Sequence, residues 1–244
     1  MKLYTLGTSH GATEKGRACS ANLIEVNGAY YLFDCGGDAE CKIKNLDLSF
    51  DDIRAVFISH MHEDHVGTLS AIVKRFYHYN KTDNRVIIHM PEKQGIDAFK
   101  NWLGALHSDT SSQKTEYKLV EEGKIYSDEN ITVTAIATMH IKNGLFPSFA
   151  YMVEAGDKKF LYTGDLNASF LDYPKVAFSE NFDAILCELV HFDFEKNLDT
   201  IVKSNTKKMI FTHVSLKKVL SVQNHIDRFP FEVDVAEDGR IYEI

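Results

Sequence analysis

Three histidines and two carboxylates lie within one short segment, HMHEDH at residues 60–65. If these side chains were buried, each would need a hydrogen-bond partner or a counter-charge, because an unsatisfied polar group costs about 1–3 kcal/mol. A purely structural role would therefore be costly. Imidazole and carboxylate ligands without a thiolate suit Zn, and also Fe, Mn or Ni, in catalytic sites, whereas structural zinc sites normally use Cys. The segment predicts a catalytic metal site.

The spacing within this segment can serve two metal ions. His60 and His62 are one residue apart, so both imidazoles can reach one ion from a tight turn. Asp64 and His65 are directed toward a second ion. A dinuclear site also needs a shared carboxylate and ligands from other parts of the chain. Three further residues can supply them: His140, Asp165 and His213.

The elements that must position these side chains are short apolar runs that end in His or Asp. Five runs end in this way, at Asp34, His60, His140, Asp165 and His213. In α/β sheets, binding sites gather beyond the carboxyl ends of the strands, because the backbone leaves the sheet there and side chains can converge. We therefore expect the ligands to meet at one edge of the fold.

The apolar pattern predicts interspersed strands and helices in both halves of the chain. Strands are predicted at residues 23–26, 29–33, 55–58, 86–89, 131–136, 149–153, 159–162, 184–187 and 209–211. Helices are predicted at residues 66–79, 94–106, 197–204 and 216–229. Asn27 and Gly28 form a two-residue hairpin turn. The pattern indicates one α/β domain over residues 1–244, with two sheets and outer helices. The pattern over residues 92–129 predicts a helix and a mobile loop. We expect this loop to be an ordinary surface loop rather than a lid over the site.

Composition excludes several classes of protein. Of the 244 residues, 44% are hydrophobic and 25% are charged, which is typical of a globular protein. The net charge of −8 gives no general attraction to a nucleic-acid backbone. The sequence shows neither a signal peptide nor the run of ~20 apolar residues needed to cross a membrane. The four cysteines form no CxxC pair, which favours reduced thiols and a cytoplasmic location.

The order of the motifs resembles the metallo-β-lactamase fold superfamily. Its signature HxHxDH is present at residues 60–65, and the other markers follow the same order along the chain. They are Asp34 in FDCG, His140 in TMH, Asp165 in TGD and His213 in FTH. The resemblance implies an α/β fold, a four-layer αββα sandwich, with a dinuclear site in a cleft along its edge.

The same resemblance implies a role for each residue of the site. It implies His60, His62 and His140 on one metal, Asp64, His65 and His213 on the other, and Asp165 as the bridge. Asp34 would orient ligands from behind. The expected cofactors are two divalent metal ions, with Zn first and Mn, Fe or Ni as alternatives.

Within the superfamily, the chain is most similar to the ribonuclease Z and cyclic phosphodiesterase branch. The opening stretch LGTSHGATEKGRACSANLIEVNGAYYLFDCG, residues 6–36, is similar to their first loop and hairpin. Cys187-Glu188 occupies the place of their His-Glu-Ala-Thr segment. The sequence lacks the long Gly/Pro-rich arm that holds transfer RNA, and it lacks a Gly-His-Ser-Thr segment between Glu188 and His213. The expected substrate is therefore a small molecule or a short nucleotide-like compound, with no membrane partner. A homodimer is left open.

The chemistry expected of such a site is metal-assisted hydrolysis of a phosphodiester. Water that bridges two cations loses much of its proton affinity, so hydroxide is available to attack near neutral pH. Asp64 is the first candidate for handling the proton, and His191 or Glu188 can assist the leaving group. The same metals would also serve a lactone, ester or thioester hydrolase. A metal-binding sensor without turnover is the third alternative.

Three basic residues of the first loop are candidates for contact with the substrate. Lys15 and Arg17 can grip a phosphate through charge-assisted hydrogen bonds, although an ordinary surface role is slightly favoured. His10 can line the cleft, and an exposed loop position is at least as well supported. Other histidines without a neighbouring ligand are expected at the surface or in the core.

Overall fold

The chain builds two seven-stranded sheets in the computed structural model, which describes residues 1–108 and 113–244. The first sheet contains β1 (Lys2–Gly7), β2 (Ala21–Val26), β3 (Ala29–Cys35), β4 (Ile53–Phe57), β5 (Val86–Met90), β6 (Thr115–Leu119) and β14 (Arg240–Glu243). The second sheet contains β7 (Gly123–Ser127), β8 (Thr132–Ala137), β9 (Phe149–Ala155), β10 (Lys158–Tyr162), β11 (Ala184–Glu188), β12 (Lys208–Thr212) and β13 (Glu232–Val235).

Each sheet is antiparallel in one half and parallel in the other. The strand orders are β14-β1-β2-β3-β4-β5-β6 and β13-β12-β11-β10-β9-β8-β7. The parallel halves run from β3 to β6 and from β10 to β13. The predicted hairpin between β2 and β3 is confirmed, and Asn27 and Gly28 have φ values of 51° and 79°, as its turn requires.

Seven helices lie among the described residues, and three 3-10 turns accompany them. The helices are α1 (Ala39–Asn45), α2 (Glu63–Val66), α3 (Leu69–His78), α4 (Lys93–Ala105), α5 (Val176–Ser179), α6 (Phe194–Ile201) and α7 (Leu216–Gln223). The 3-10 turns are Phe50–Asp52, Ile141–Gly144 and Ile226–Arg228. None of the helices in the described part of the chain combines the length and the apolar character needed to cross a bilayer.

Three apolar clusters define the layers of the fold. Alternate residues of a strand point to opposite faces, so β3 places Phe33 between the sheets and Leu32 beneath the helices. Between the sheets, the ring of Phe33 lies 5.8 Å from that of Tyr151 on β9. The outer face of the first sheet packs against α1, α3 and α4, and that of the second packs against α5, α6 and α7. The predicted four-layer αββα sandwich is confirmed.

Several predicted boundaries differ from the structure. The helix predicted at residues 66–79 is divided into α2 and α3, with Gly67 and Thr68 between them. The helix predicted from residue 197 begins at Phe194, because Asp193 caps it by accepting a hydrogen bond from the N–H of Lys196. The helix predicted at residues 216–229 ends at Gln223 and gives way to a 3-10 turn.

Other elements were not predicted at all. They are α1, α5, β1, β6, β7, β13 and β14. The mobile loop predicted within residues 92–129 rests on residues 108–112, of which 109–112 lie outside the described residues. The prediction of a single domain over residues 1–244 stays a prediction.

Candidate metal centre

The predicted ligands meet where strands of both sheets end. His60 follows β4, whereas His62 lies at the start of α2. His140, Asp165 and His213 follow β8, β10 and β12 of the second sheet. Asp64 and His65 lie within α2 itself. Parallel strands of both sheets, together with the antiparallel strand β8, thus deliver side chains from their carboxyl ends to one place.

A first group of ligand atoms consists of three histidines and a carboxylate. The Nδ1 atom of His62 lies 3.0 Å from Nε2 of His60 and 3.3 Å from Nε2 of His140. Oδ2 of Asp165 lies 3.6 Å and 3.7 Å from the same nitrogens of His60 and His140. A tetrahedral zinc ion with bonds of about 2.0–2.1 Å holds its ligand atoms about 3.4 Å apart, so this group fits one ion.

A second group shares the same carboxylate. Oδ2 of Asp165 lies 3.3 Å from Nε2 of His65 and 3.4 Å from Nε2 of His213. Oδ2 of Asp64 lies 3.5 Å and 3.7 Å from these two nitrogens. The candidate ligand atoms of His65, His213 and Asp64 all lie within 4.8 Å of one another. Asp165 therefore stands between the two groups, where the resemblance placed a bridging ligand.

Unpaired buried atoms show that the residues fit metal ions. Within the described residues, Nε2 of His65, Nε2 of His213 and Oδ1 of Asp165 are buried without a hydrogen-bond partner. Buried polar atoms are seldom left unpaired, and the two imidazole nitrogens lie within 3.7 Å of carboxylate oxygens of Asp165 and Asp64. A divalent cation would satisfy them together with the facing nitrogens of His60 and His62. The ligand roles themselves stay predictions.

Asp34 holds one side of the cluster from behind. Its buried carboxylate accepts hydrogen bonds of 2.7 Å from the N–H and the hydroxyl of Ser59, from Nδ1 of His65 and from the hydroxyl of Tyr162. Because His65 donates from Nδ1 to Asp34, its Nε2 is the nitrogen directed to the site. This arrangement agrees with the orienting role predicted for Asp34.

Two further histidines are oriented by groups that the sequence did not indicate. The hydroxyl of Ser59 donates to Asp34 and can therefore accept from Nδ1 of His60, which lies 3.0 Å away. Nδ1 of His140 donates to the carbonyl of Leu166 at 3.1 Å. Both contacts direct the Nε2 lone pair into the site. The position of Ser59 directly before His60 was a signal that could have indicated its role. The carbonyl of Leu166 could not be found in this way, because every residue has a backbone carbonyl.

At His60 and Asp165 the electrostatics favour the protonation states that bind metal. Burial lowers the pKa of His60 well below its ordinary value, and neighbouring His65 lowers it further. Burial alone would raise the pKa of Asp165, but the imidazoles of His213 and His65 outweigh it and hold this pKa well below its usual range. The site therefore combines a neutral imidazole with an ionised carboxylate, which are the forms that coordinate a cation.

His65 carries the opposite shift. Burial lowers its pKa, but the charges of Asp165 and Asp34 outweigh burial and hold the pKa well above its ordinary value. The two carboxylates thus stabilise positive charge at His65, whether a proton or a bound cation supplies that charge.

Glu188 and His191 lie beside the ligand groups. The buried carboxylate of Glu188 accepts from the backbone N–H groups of Val190 at 2.6 Å, His191 at 3.1 Å and Leu166 at 2.9 Å. Its Oε1 also lies 3.0 Å from Nδ1 of His191, which is itself 3.7 Å from Oδ2 of Asp165. The structure thus brings both predicted leaving-group candidates to the site. His191 also has ligand geometry toward Asp165 and His213.

The basic residues of the first loop have other partners. The guanidinium of Arg17 donates to Oε2 of Glu14 at 2.7 Å and to the carbonyl of Thr8 at 2.7 Å, so it holds its own loop together. His10 lies 3.3 Å from Glu14. Lys15 is exposed. These contacts favour the ordinary surface role over a grip on phosphate.

Comparison with known proteins identifies similar enzymes. The chain is 29% identical over 163 residues to the ribonuclease Z of Shouchella clausii, a match that covers 65% of the chain and 49% of that protein. It is 31% identical over 161 residues to the ribonuclease Z of Anoxybacillus flavithermus, covering 64% and 49%. The chain spans about half the length of the curated relatives it matches. These matches confirm the predicted branch.

Solved structures agree on the fold. The metallo-β-lactamase fold protein YhfI of Bacillus subtilis is 20% identical with a TM-score of 0.79, and the match covers 99% of each chain. The short form of human tRNase Z is also 20% identical, with a TM-score of 0.80 over 100% of this chain and 99% of that one. At this identity the likeness shows the fold alone.

A family model covers nearly the whole chain. The model described as "Anti-Pycsar protein Apyc1" matches residues 1–229, a range that contains every candidate ligand. The fold, the order of the motifs and the similarity to ribonuclease Z agree with this match. The chain therefore belongs to the anti-Pycsar protein Apyc1 family, and it has the metallo-β-lactamase fold.

Proposed function

We propose that the protein is a metal-dependent phosphodiesterase that acts on a small cyclic or oligonucleotide-like substrate. The observation that carries the proposal is the shared position of Asp165, whose Oδ2 lies between 3.3 and 3.7 Å from ligand nitrogens of both groups. Similarity to ribonuclease Z, which is named for cleavage of RNA, supports a phosphodiester as the bond that is broken.

Two divalent ions fit the two ligand groups, with Zn expected first and Mn, Fe or Ni as alternatives. His60, His62 and His140 would hold one ion, Asp64, His65 and His213 the other, and Asp165 both. When bound, the ions would supply an activated water near neutral pH and polarise the phosphoryl oxygen.

Asp64 is placed to orient the attacking water. Its side chain is 13% exposed, and it lines a cavity of about 440 Å³ together with Gly36, Gly37 and Thr68. One carboxylate oxygen faces the ligand group, so the other can accept a hydrogen bond from water on the cavity side. A cavity of this volume is in the usual range for small ligands. The cavity therefore has room for a small substrate on the Asp64 side of the ligand groups.

His191 is placed to protonate the leaving oxygen. Burial lowers its pKa, but the hydrogen bond and the charge of Glu188 outweigh burial and raise the pKa, so His191 is favoured in the protonated form. As the new P–O bond forms and the old one breaks, the proton of His191 passes to the departing oxygen, which leaves as an alcohol. Glu188 stabilises the charged imidazole and sets its orientation.

The proposal is tested by metal content and turnover in one preparation. We expect about two ions per chain by elemental analysis and chelator-sensitive cleavage of bis(p-nitrophenyl) phosphate. Partners of metal ligands alone are worth about 10- to 100-fold in activity, so Asp165→Asn, which changes a ligand, should lose at least that much and lower the metal content.

The matched control is His78→Ala, at an exposed histidine at the end of α3, which should keep both metal and activity. Turnover of a lactone or thioester panel without phosphodiester cleavage would replace the proposal with the alternative hydrolase. Protein without bound metal would contradict both.

A further inference from the structure

Lys218 hydrogen-bonds to the main chain on both sides of His191. It belongs to α7, which follows β12 and the ligand His213. Its Nζ donates to the carbonyl of Val190 at 2.7 Å and to the carbonyl of Phe192 at 2.8 Å. These two carbonyls belong to the residues immediately before and after His191. A single side chain from α7 therefore hydrogen-bonds to the peptide groups on either side of His191, which lies between β11 and α6.

The contact is internal to the fold. The Lys218 side chain is half-buried, and burial lowers the pKa of its ammonium group, so loss of solvent works against the charged form. Charge-assisted hydrogen bonds to two carbonyls offset this loss. Lys217, the neighbouring residue of α7, is exposed. Adjacent lysines of one helix thus differ in environment, which provides a matched pair for experiment.

The segment that carries His191 is short and is held from two directions. It connects β11, which ends at Glu188, to α6, which begins at Phe194. From the sheet side, Glu188 accepts from the N–H groups of Val190 and His191 at 2.6 and 3.1 Å. From the α7 side, Lys218 donates to the carbonyls. The N–H and C=O groups of the segment are therefore fixed by opposite charges, which leaves little freedom for the backbone of His191.

We propose that Lys218 is a positioning residue, which holds residues 190–192 so that His191 can donate its proton to the leaving oxygen. The proposal rests on the proposed function, since it assumes that His191 is the donor. Proton donation depends on placement to within hydrogen-bond reach, and it contributes about 10²- to 10⁴-fold to rate, so a loosened donor forfeits part of that factor.

A purely structural role makes a different prediction. On α7, Leu216 and Leu220 are 63% and 62% exposed whereas Val222 is buried against the second sheet, so Lys218 adds a second attachment of this helix to the fold. If that were its whole role, removing the ammonium would lower stability and leave the chemistry of the leaving group unchanged. The dependence of rate on the leaving group therefore separates the two roles.

The test uses a series of diaryl phosphates whose phenols differ in acidity, with Lys218→Met, Lys218→Arg and Lys217→Met as variants. An acidic phenol departs without a proton, whereas a weakly acidic phenol needs one. For Lys218→Met we expect a loss of about tenfold in kcat on the least acidic phenol and little loss on p-nitrophenol, with KM and metal content unchanged. The slope of log kcat against phenol pKa should steepen, as in His191→Ala. Lys218→Arg should restore much of the rate, and Lys217→Met should match the wild type.

Amide hydrogen exchange of residues 189–193 gives a readout that does not depend on turnover. It should rise in Lys218→Met and stay at the wild-type level in Lys217→Met. If Lys218→Met does not fold, Lys218→Gln, which keeps a shorter neutral donor, replaces it in both measurements.

The outcomes separate the two proposals. An unchanged slope overturns the positioning role, whether or not exchange rises, and leaves the proposed function standing. If the wild type cleaves no diaryl phosphate, the proposed function fails and the catalytic part of this proposal fails with it. Amide hydrogen exchange of residues 189–193 then tests alone whether Lys218 holds this segment. Unchanged exchange in Lys218→Met would reject that structural contact as well.

Discussion

At the scale of residues, the site depends on close contacts behind the ligands as much as on the ligands themselves. Gly36 follows β3 and lies against the segment that carries Asp64. A Cβ atom added to Gly36 would lie 1.8 Å from the backbone oxygen of Asp64. Only a residue without a side chain fits there, so the position of Asp64 is set partly by a glycine that touches no metal.

Gly36→Ala should therefore displace α2 together with Asp64. We expect a loss of about 1–3 kcal/mol in the free energy of unfolding, the usual range for overpacking, and a lower metal content. Urea unfolding and elemental analysis measure the two effects. Gly11→Ala is the matched control, because an added Cβ meets nothing within 4 Å there. Equal stability and metal content in the two variants would contradict this account.

The sequence revealed the candidate ligands because His and Asp are conspicuous where apolar runs end. It did not reveal the groups that orient them. Ser59 and the carbonyl of Leu166 were missed, and Lys218 was assigned no role at the site. Their contacts depend on how distant segments pack, which a pattern of residue types does not encode.

At the scale of elements, buried parallel strands were the most predictable part of the chain. Residues 55–57 of β4 and 184–187 of β11 form unbroken apolar runs because both faces of these strands are covered. The edge strands were missed, since β13 and β14 are short and partly exposed, so their apolar pattern is weak. The break between α2 and α3 was also missed, because the helical pattern of residues 66–79 continues through it.

One buried histidine on a strand predicts a pH effect on stability. His89 lies near the end of β5, stacked on Phe57 at 4.9 Å, and within the described residues neither ring nitrogen has a hydrogen-bond partner. Burial, with a smaller effect of Lys118, lowers the pKa of His89 to about 4. The unfolded chain, with a pKa near 6.5, binds this proton more readily. Stability is therefore fully present above about pH 6.5 and is lost as the pH falls toward 4, by up to about 3 kcal/mol.

The variant His89→Phe should remove this part of the acid sensitivity. Urea unfolding of metal-free protein at about pH 7 and pH 5 should show a smaller difference between the two conditions in His89→Phe than in the wild type. His78→Phe, at an exposed position, should behave as the wild type does. An equal pH dependence in both variants would show that His89 does not titrate as described.

At the scale of the whole molecule, the candidate metal centre joins the two sheets. His60 follows a strand of the first sheet, and Asp165 and His213 follow strands of the second. The αββα architecture was predictable because the order of the motifs resembles a known superfamily, and the relatives confirm it. The relative placement of the sheets was not predictable, because it results from packing between them.

Removal of the ions should therefore destabilise the whole fold. Ions present at about 1,000 times their Kd stabilise by about 4 kcal/mol, and about 1 kcal/mol moves the Tm of a chain of this size by about 2–4 °C. We expect chelation to lower Tm by about 10 °C and added Zn to restore it, as measured by calorimetry. A chelator already saturated with Zn is the control. An unchanged Tm, with metal loss shown by elemental analysis, would mean that the ions do not join the sheets.

The contact between Phe33 and Tyr151 bears on how natural or engineered substitutions in the core would affect metal loading. These rings lie between the sheets and outside both ligand groups. The hydroxyl of Tyr151 donates to the carbonyl of Ile58, two residues before His60, so their packing bears on how far His60 lies from Asp165. A substitution there should alter the concentration of divalent metal at which the protein is half-loaded, even where the fold and every candidate ligand are intact. Under the proposed function, variants of this chain that differ only in the inter-sheet core would then need different metal concentrations to reach the same activity.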